Sequence, residues 1–223
     1  MAMLDIQGPA GRLEALLTEP EPAGSIGPDG LVSVGHPEGL RAAVVFAHPH
    51  TEYGGTMHTK VVYQAAKALN RIGCAVLRFN FRGAGASAGR FTNGPGEMDD
   101  FRAALDVMHD RYPAAPVWVA GMSFGSWVAM TVGAEDPRAS TLIGVALPVS
   151  RFDYHRVEQS TKPKFFIHGE FDEIGPLSEM RAFYARAAEP KELAVIEGAD
   201  HLFDGKVTEV AQAVEDLLGD WDI

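Results

Sequence analysis

A serine, an aspartate and a histidine follow one another along the chain in positions where they could cleave an acyl bond together. Ser123 lies in Gly121-Met122-Ser123-Phe124-Gly125, directly after an apolar run and before a segment of helical character. A G-x-S-x-G pattern between a strand and a helix holds a serine hydroxyl on a tight turn above a sheet, where it can act as a nucleophile. A serine hydroxyl is a weak nucleophile, so this reading also requires a base and an acid that orients the base.

The base and the acid are expected at the ends of later apolar runs. His201 follows the last apolar run, and Asp172 follows the run before it, ahead of a turn-like segment. His168 lies inside that earlier run, which favours a strand residue, and Glu170 is the alternative acid. The order serine, acid, histidine is the one in which this type of nucleophile turn is followed by its partners. We therefore predict that Ser123, Asp172 and His201 are the catalytic residues.

A second G-x-S-x-G pattern occurs at Gly85-Ala86-Ser87-Ala88-Gly89. The glycine-rich stretch that follows it lacks the helix that a nucleophile turn requires. The same stretch resembles a dinucleotide-binding fingerprint from Gly83 to Ala88, but a helix would have to begin inside that motif as well. The sequence therefore predicts a surface loop around Ser87 and no nucleotide cofactor.

The elements that must position these residues form an alternating pattern. Apolar runs of five to seven residues, the signal of strands buried on both faces of a parallel sheet, lie at 42–47, 74–79, 117–121, 141–147, 164–169 and 192–197. Helical periodicity is found near 59–71, 97–111, 124–135, 178–188 and 206–218. Short strands are expected at Leu4–Ile6 and Arg12–Thr18, and at 31–34 within a loop over 19–39 rich in proline and glycine. The pattern predicts an α/β fold with a doubly wound sheet, whose ligands bind outside the carboxyl ends of the strands.

With these motifs the chain resembles the α/β-hydrolase superfamily over residues 40–220. More narrowly, it is similar to small, uncapped bacterial hydrolases related to dienelactone-hydrolase-like and prolyl-oligopeptidase-like enzymes. The residues that carry the resemblance are His48-Pro49-His50, Gly54-Gly55-Thr56-Met57-His58, Arg78-Phe79-Asn80-Phe81-Arg82-Gly83, the turn at Ser123, Gly169-x-x-Asp172-Glu173 and Asp200-His201-x-Phe203. Dienelactone hydrolase uses a cysteine nucleophile, and the serine found here favours ordinary ester hydrolysis.

The resemblance implies an α/β-hydrolase fold, with a mostly parallel twisted sheet and helices on both faces. It also implies an oxyanion hole, formed by the backbone N–H of Phe124 and by that of His50, with Thr51 as the next candidate, because Pro49 has no N–H. Only Pro148–Pro163 separates two apolar runs where many relatives insert a cap, so we expect no sizeable cap domain. The apolar walls of an open cleft are then expected from Met122, Phe152, Tyr154, Ile174 and Leu202, with Phe91 and Phe203 beside them.

Other readings of these motifs are weaker. His48, His50, Glu52 and His58 could be metal ligands, but no later acidic cluster completes a site without the residues already assigned, so no metal is predicted. Arg78 and Arg82 could bind an anionic substrate, or they could pair with Glu97, Asp99 or Asp100, which we favour. Cys74 lies in an apolar run and is expected in the core.

The composition of the chain limits the number of domains, the kinds of partner and the location that we expect. The chain has 223 residues, a net charge of −11 and one cysteine, which predicts a single domain over residues 1–223 without a disulfide. The negative charge disfavours nucleic acid and anionic membrane surfaces as partners, and neither a secretory signal nor a spanning segment is recognised, so we expect a cytoplasmic protein.

The function predicted from the sequence is cofactor-free hydrolysis of small to medium carboxylic esters through an acyl-enzyme, with a small-molecule ester as substrate. Thioester, lactone or small-amide hydrolysis by the same triad stays open. So do a non-catalytic binding protein of this fold and assembly into a homo-oligomer.

Overall fold

The computed structural model describes residues 1–20, 22, 24–26, 30, 32 and 39–221. These residues form one eight-stranded sheet with helices on both faces. The strands are β1 (Ala2–Gly8), β2 (Gly11–Thr18), β3 (Ala42–Ala47), β4 (Cys74–Phe79), β5 (Val117–Met122), β6 (Ala139–Val145), β7 (Lys164–Gly169) and β8 (Lys191–Ile196). The helices are α1 (Lys60–Arg71), α2 (Pro95–Arg111), α3 (Phe124–Glu135), α4 (His155–Gln159), α5 (Leu177–Arg186) and α6 (Val207–Leu218).

The sheet order is β1-β2-β4-β3-β5-β6-β7-β8. The strands from β3 to β8 run parallel to their neighbours, whereas β2 is antiparallel to both β1 and β4. The predicted mostly parallel sheet of an α/β-hydrolase fold is therefore confirmed. The strand predicted at 31–34 lies outside the described residues except for Val32, which forms an isolated bridge with Ile26.

The continuous apolar runs form central strands because both of their faces are covered. Every residue of β3, β4, β5 and β7 is buried. One apolar core lies between the sheet and the pair α1 and α6, and the other lies beneath α2, α3 and α5. Cys74 at the start of β4 is completely buried, as expected for a core residue, and burial raises the pKa of its thiol to about 12.

The segment between β6 and β7 carries α4 and no further helix or strand, so no cap domain is inserted there. Among the described residues, no helix is both long enough and apolar enough to cross a membrane. That residues 1–223 make up a single domain stays a prediction.

The topology determines where a site can form. β4 and β5 follow β3 in sequence but lie on opposite sides of it, so the chain changes direction across the sheet at β3. In open parallel sheets, ligands bind at such a switch point, outside the carboxyl ends of the strands. The loops after β3 and β5 meet at this position, and the loops after β7 and β8 lie along the same edge.

Candidate active site

Ser123 occupies a strained turn between β5 and α3. Its backbone has φ 54° and ψ −123°, a conformation that side-chain-bearing residues rarely adopt. Two glycines permit the tight turn: a Cβ on Gly121 would lie 2.2 Å from the carbonyl oxygen of Gly125, and a Cβ on Gly125 would lie 2.4 Å from that of His48. The same glycines that define the sequence motif thus let α3 begin directly against β5 and the loop after β3.

The structure brings Ser123, His201 and Asp172 together in one chain of hydrogen bonds. The Oγ of Ser123 lies 2.8 Å from Nε2 of His201, and Nδ1 of His201 lies 2.8 Å and 2.9 Å from the two carboxylate oxygens of Asp172. His201 and Asp172 are buried, whereas Ser123 is partly exposed to solvent. In this arrangement the imidazole can take the hydroxyl proton of Ser123 while the carboxylate holds the other nitrogen protonated.

The carboxylate of Asp172 is stabilised in its charged form. Burial alone would raise its pKa, but hydrogen bonds from His201 and from the N–H of Gly175 outweigh that effect, so the pKa of Asp172 lies below its ordinary value. Its Oδ1 also accepts the N–H of Ile174 at 2.9 Å. Glu170, the alternative acid, instead accepts the N–H of Gly198 and takes no part in this chain.

His168, which the sequence predicts only to be a strand residue, lies behind the acid. It belongs to β7, and its Nε2 donates to the carbonyl of Gly175 at 2.6 Å and lies 3.6 Å from Oδ2 of Asp172. The side chain is fully buried, and burial lowers the pKa of its imidazole. His168 therefore fixes the turn that presents Asp172. The sequence holds a signal for this supporting role, because a histidine four residues before the acid can reach the loop that carries the acid.

Two backbone N–H groups close to the nucleophile turn are candidates for an oxyanion hole. Within the described part of the chain, no hydrogen bond engages the N–H of His50 or that of Phe124. His50 follows β3, Phe124 is the first residue of α3, and their rings are 5.1 Å apart. The oxyanion-hole residues that the sequence suggests are thus neighbours, each with a free donor.

His48, at the end of β3, is engaged at both ring nitrogens. Its Nδ1 donates to the carbonyl of Pro49 at 2.5 Å, and its Nε2 accepts the N–H of Phe81 at 3.0 Å. Burial lowers the pKa of His48 to about 4, so the ring is neutral. Both lone-pair positions that a metal would need are therefore occupied by the protein, and the described residues hold no cluster of three or more metal-binding side chains.

Aromatic rings surround the nucleophile turn and form a wall, which comprises His50, Phe91, Phe124, Trp127 and Phe152. The ring of Phe91 lies 4.3 Å from that of His50 and 5.4 Å from that of Phe124. Phe152 is stacked on Trp127 at 4.5 Å and lies 5.8 Å from Phe124. Phe91, Trp127 and Phe152 are only partly buried, so the wall offers an apolar surface to solvent.

Three side chains predicted at the walls of the cleft do not reach such a surface, and one of them is Phe203, which is completely buried in the core beneath α1 and α6. Met122 is completely buried in the core beneath α1 and α6, because the side chain before the nucleophile faces into the sheet packing. Tyr154 is 4% exposed and its hydroxyl lies 3.0 Å from Oγ of Ser126, so its ring is part of the core under α5. Ile174 is partly exposed and Leu202 is 55% exposed beside His201, which leaves both available to a ligand.

The two arginines near this edge behave differently. Arg82 makes a bidentate ion pair with the buried Asp100, as predicted. Arg78 was expected to pair with an acid, and that prediction is wrong: it donates to the carbonyl of Met57 and lies over the ring of Tyr63. Ser87 lies in a loop, as predicted, where its hydroxyl donates to the carbonyl of Asn80.

The chain is similar to known proteins in both sequence and structure. Residues 40–218 match the model of a family described as alpha/beta hydrolase domain. An uncharacterized protein of Rickettsia prowazekii is 36% identical over 77% of this chain and 76% of its own length. An alpha-beta serine hydrolase homologue from Coxiella burnetii superimposes with a TM-score of 0.86, at 33% identity over 97% of each chain.

A second solved structure, from Xanthomonas campestris, is described as a serine hydrolase without lid. It superimposes with a TM-score of 0.85 at 31% identity, covering 96% of this chain and 92% of the other. Both neighbours match the fold across nearly the whole length of this chain. Together with the family match over residues 40–218, they establish that this chain belongs to the α/β hydrolase family.

Proposed function

We propose that this protein hydrolyses small to medium carboxylic esters through an acyl-enzyme intermediate on Ser123. The observation that carries the proposal is the unbroken line of hydrogen bonds from Ser123 through His201 to Asp172. A serine hydroxyl 2.8 Å from an imidazole whose other nitrogen faces a carboxylate is the arrangement that activates serine for acyl transfer.

The reaction follows from these positions. His201 takes the proton of Ser123 as its Oγ attacks the ester carbonyl, and Asp172 stabilises the imidazolium that forms. The N–H groups of His50 and Phe124 bind the developing oxyanion, each contributing about 3 kcal/mol. His201 then protonates the departing alcohol. A water molecule that His201 deprotonates attacks the acyl-enzyme, which releases the acid and restores Ser123.

The surroundings favour small and apolar acyl groups. The aromatic wall lies beside the nucleophile turn, and residues 146–163 add no domain over it. An open apolar surface accepts acyl groups of several shapes but contacts each only partly, so it selects them weakly. The same residues could cleave a thioester, a lactone or a small amide, because a serine oxygen attacks each of these carbonyl groups in the same way.

Covalent labelling tests the proposal directly. An activated organophosphonate should modify the folded wild-type protein, and mass spectrometry of the digest should place the adduct on Ser123. Replacement of Ser123 by alanine should abolish labelling and lower the turnover of an activated short-chain ester by at least about 10³-fold. Ser178→Ala, an exposed serine of α5, should retain both.

The alternative outcomes separate the competing functions. Absence of labelling in correctly folded protein would favour a non-catalytic binding protein. An adduct on Ser123 with turnover of thioesters, lactones or amides but of no ester would keep the nucleophile and replace the proposed substrate class. Near-wild-type turnover by Ser123→Ala would overturn the mechanism itself.

A further inference from the structure

The loop that carries His50 is attached to the end of β4 at both of its ends. At its start, the N–H of Phe81 donates to Nε2 of His48. At its end, the N–H of Met57 donates to Oδ1 of Asn80 at 2.8 Å, and the carbonyl of Met57 accepts a hydrogen bond from Arg78 at 2.9 Å. The main chain from 48 to 57, which we call the oxyanion loop, is thus held by side-chain and backbone groups of residues 78–81.

Asn80 is itself held in a single orientation by the N-terminal hairpin. Its Nδ2 donates to Oε2 of Glu14 at 2.8 Å, and because a carboxylate only accepts hydrogen bonds, the amide oxygen must face Met57. The backbone N–H of Asn80 donates to the carbonyl of Glu14 at 2.8 Å, and the hydroxyl of Ser87 joins the carbonyl of Asn80 to the N–H of Glu14. Asn80 is 1% exposed, whereas Glu14 and Ser87 are partly exposed, so these bonds lie at the edge of the core.

Gly85 packs directly against the contact between Asn80 and Glu14. A Cβ on Gly85 would lie 2.3 Å from Nδ2 of Asn80 and 2.6 Å from Oε2 of Glu14. The same Oε2 accepts the N–H of Ala86, and this hydrogen bond is the main cause that keeps the pKa of Glu14 below its ordinary value. The carboxylate of Glu14 therefore stays charged and in place. The hydrogen bond that it accepts from Asn80 fixes that side chain, and the one that it accepts from Ala86 fixes the 80–88 loop.

Hydrogen bonds inside the oxyanion loop connect His50 to the end of the loop that Asn80 holds. The carbonyl of His50 accepts the N–H of Gly55 at 3.0 Å and that of Tyr53 at 3.2 Å, and a Cβ on Gly55 would lie 2.3 Å from the carbonyl oxygen of Pro49. Movement of Met57 would displace Gly55, and Gly55 lies against the Pro49–His50 peptide, whose N–H is the proposed oxyanion donor. A displacement of about 1 Å at such a donor is enough to lose most of its effect.

We infer that Asn80, oriented by Glu14, is a positioning residue for the oxyanion hole. The inference rests on the proposed function and extends it to the β1–β2 hairpin, which lies outside the matched family range of 40–218. Asn80 touches neither the nucleophile nor the base, so its removal acts on the stabilisation of the transition state rather than on the activation of Ser123.

The test compares four variants with the wild type in ester turnover and in inhibition by a trifluoromethyl ketone. Such a ketone adds to the serine and places its oxyanion in the hole, so its affinity reports on the donors. Asn80→Ala and Glu14→Ala should each lower kcat by at least about 10-fold with KM changed less than about twofold, and should weaken ketone inhibition by a similar factor. Glu14→Gln should recover most of the loss, because its amide oxygen can accept the same two N–H groups.

The matched control is Asp5→Ala, which removes a carboxylate from β1 directly across from Glu14. It should leave kcat, KM and ketone inhibition unchanged. Urea unfolding of every variant separates a lower folded fraction from a lower turnover per folded molecule. If Asn80→Ala does not fold, Glu14→Ala carries the test, since the partly exposed Glu14 can be removed without leaving a cavity in the core.

The outcomes are distinct from those of the proposed function. Folded Asn80→Ala or Glu14→Ala with wild-type kcat, or with lower kcat but unchanged ketone affinity, would overturn the inference. If the wild type shows no Ser123-dependent turnover at all, the proposed function fails, and amide hydrogen exchange still decides the anchoring. The amides of Tyr53, Gly55 and Met57 should then exchange at least about 10-fold faster in Asn80→Ala than in the wild type, and equal rates would refute the anchoring.

Discussion

Replacement of Asp172 by asparagine should inactivate the protein without unfolding it. The hydrogen bonds that Asp172 accepts determine how the new amide group is oriented. Oδ1 of Asp172 accepts the N–H groups of Ile174 at 2.9 Å and Gly175 at 2.7 Å. Oδ2 faces Nδ1 of His201 at 2.8 Å, and Oδ1, which already accepts the two N–H groups, lies 2.9 Å from the same nitrogen. An asparagine at this position must present one oxygen and one NH₂ group to these same neighbours.

The two orientations of the new amide differ sharply in free energy. With its oxygen at the Oδ1 position, both backbone N–H groups stay satisfied and the NH₂ group donates to Nδ1 of His201. With the amide reversed, the N–H groups of Ile174 and Gly175 face a donor, which costs about 1–3 kcal/mol for each buried group left unpaired. The first orientation is therefore favoured by about 2–6 kcal/mol.

In that favoured orientation His201 carries its proton on Nε2, facing Ser123. The ring can then no longer accept the serine proton. A preference of about 2 kcal/mol leaves the competent tautomer in roughly one molecule in 30, and a wrong tautomer costs up to about 10⁴-fold in serine hydrolases. We expect kcat for an activated ester to fall between about 30-fold and 10⁴-fold, with KM nearly unchanged.

The assay is steady-state ester hydrolysis, together with urea unfolding to establish that Asp172→Asn is folded. Glu170→Gln is the matched control, because Glu170 lies two residues away and its carboxylate only accepts the N–H of Gly198. It should keep at least half of the wild-type kcat. Retention of more than a tenth of kcat by folded Asp172→Asn, or a larger loss in Glu170→Gln, would refute the assignment of the acid.

Two further predictions concern the framework of the site. Gly125→Ala would place a methyl group 2.4 Å from the carbonyl oxygen of His48. It should therefore lower the free energy of unfolding by about 1–3 kcal/mol and lower kcat by at least about 10-fold. A wild-type free energy in urea unfolding together with a wild-type kcat for the ester would contradict this packing. His48 has a pKa of 6.5 when unperturbed and about 4 in the folded protein, so the unfolded chain binds more protons between these values. The free energy of unfolding should fall by up to about 3 kcal/mol as the pH drops through that window. His48→Asn should weaken this pH dependence, and an unchanged pH profile would count against a buried neutral ring.

The reacting residues could be found in the sequence because each has a local signal. Ser123 lies between two glycines at a change from apolar run to helix, and Asp172 and His201 each follow a strand. Parallel strands end at the same edge of the sheet, so residues that follow different strands lie close together there even when they are far apart in sequence. The strand runs at 42–47, 74–79 and 164–169 coincide with β3, β4 and β7 for the same reason: full burial on both faces leaves an uninterrupted apolar run.

The run at 192–197 predicts burial on both faces, but β8 is mostly only partly buried. The other predictions that failed concern the direction or partner of a single side chain. Met122 and Tyr154 lie near the nucleophile in sequence or along the expected cleft, but the pleat of β5 and the packing of α5 turn both into the core. Arg78 has acids nearby in sequence, yet its strand directs it under α1, where a carbonyl and a ring are its neighbours. The short α4 escaped prediction because five residues are too few to show a helical period.

The groups that hold the reacting residues in place are harder to predict, and the reason is physical. His201 is held by a loop 29 residues away, Met57 by Asn80 across 23 residues, and Asn80 by Glu14 across 66. None of these contacts repeats with the period of a helix or strand, so they leave no pattern in a local window. Each becomes visible only when a buried donor is matched to its acceptor, because an unpaired polar group inside the protein costs about as much as the bond that satisfies it contributes. Reacting residues at strand ends therefore need supports from distant segments, and the N-terminal hairpin, which brings Glu14 to Asn80, supplies one of them in this chain.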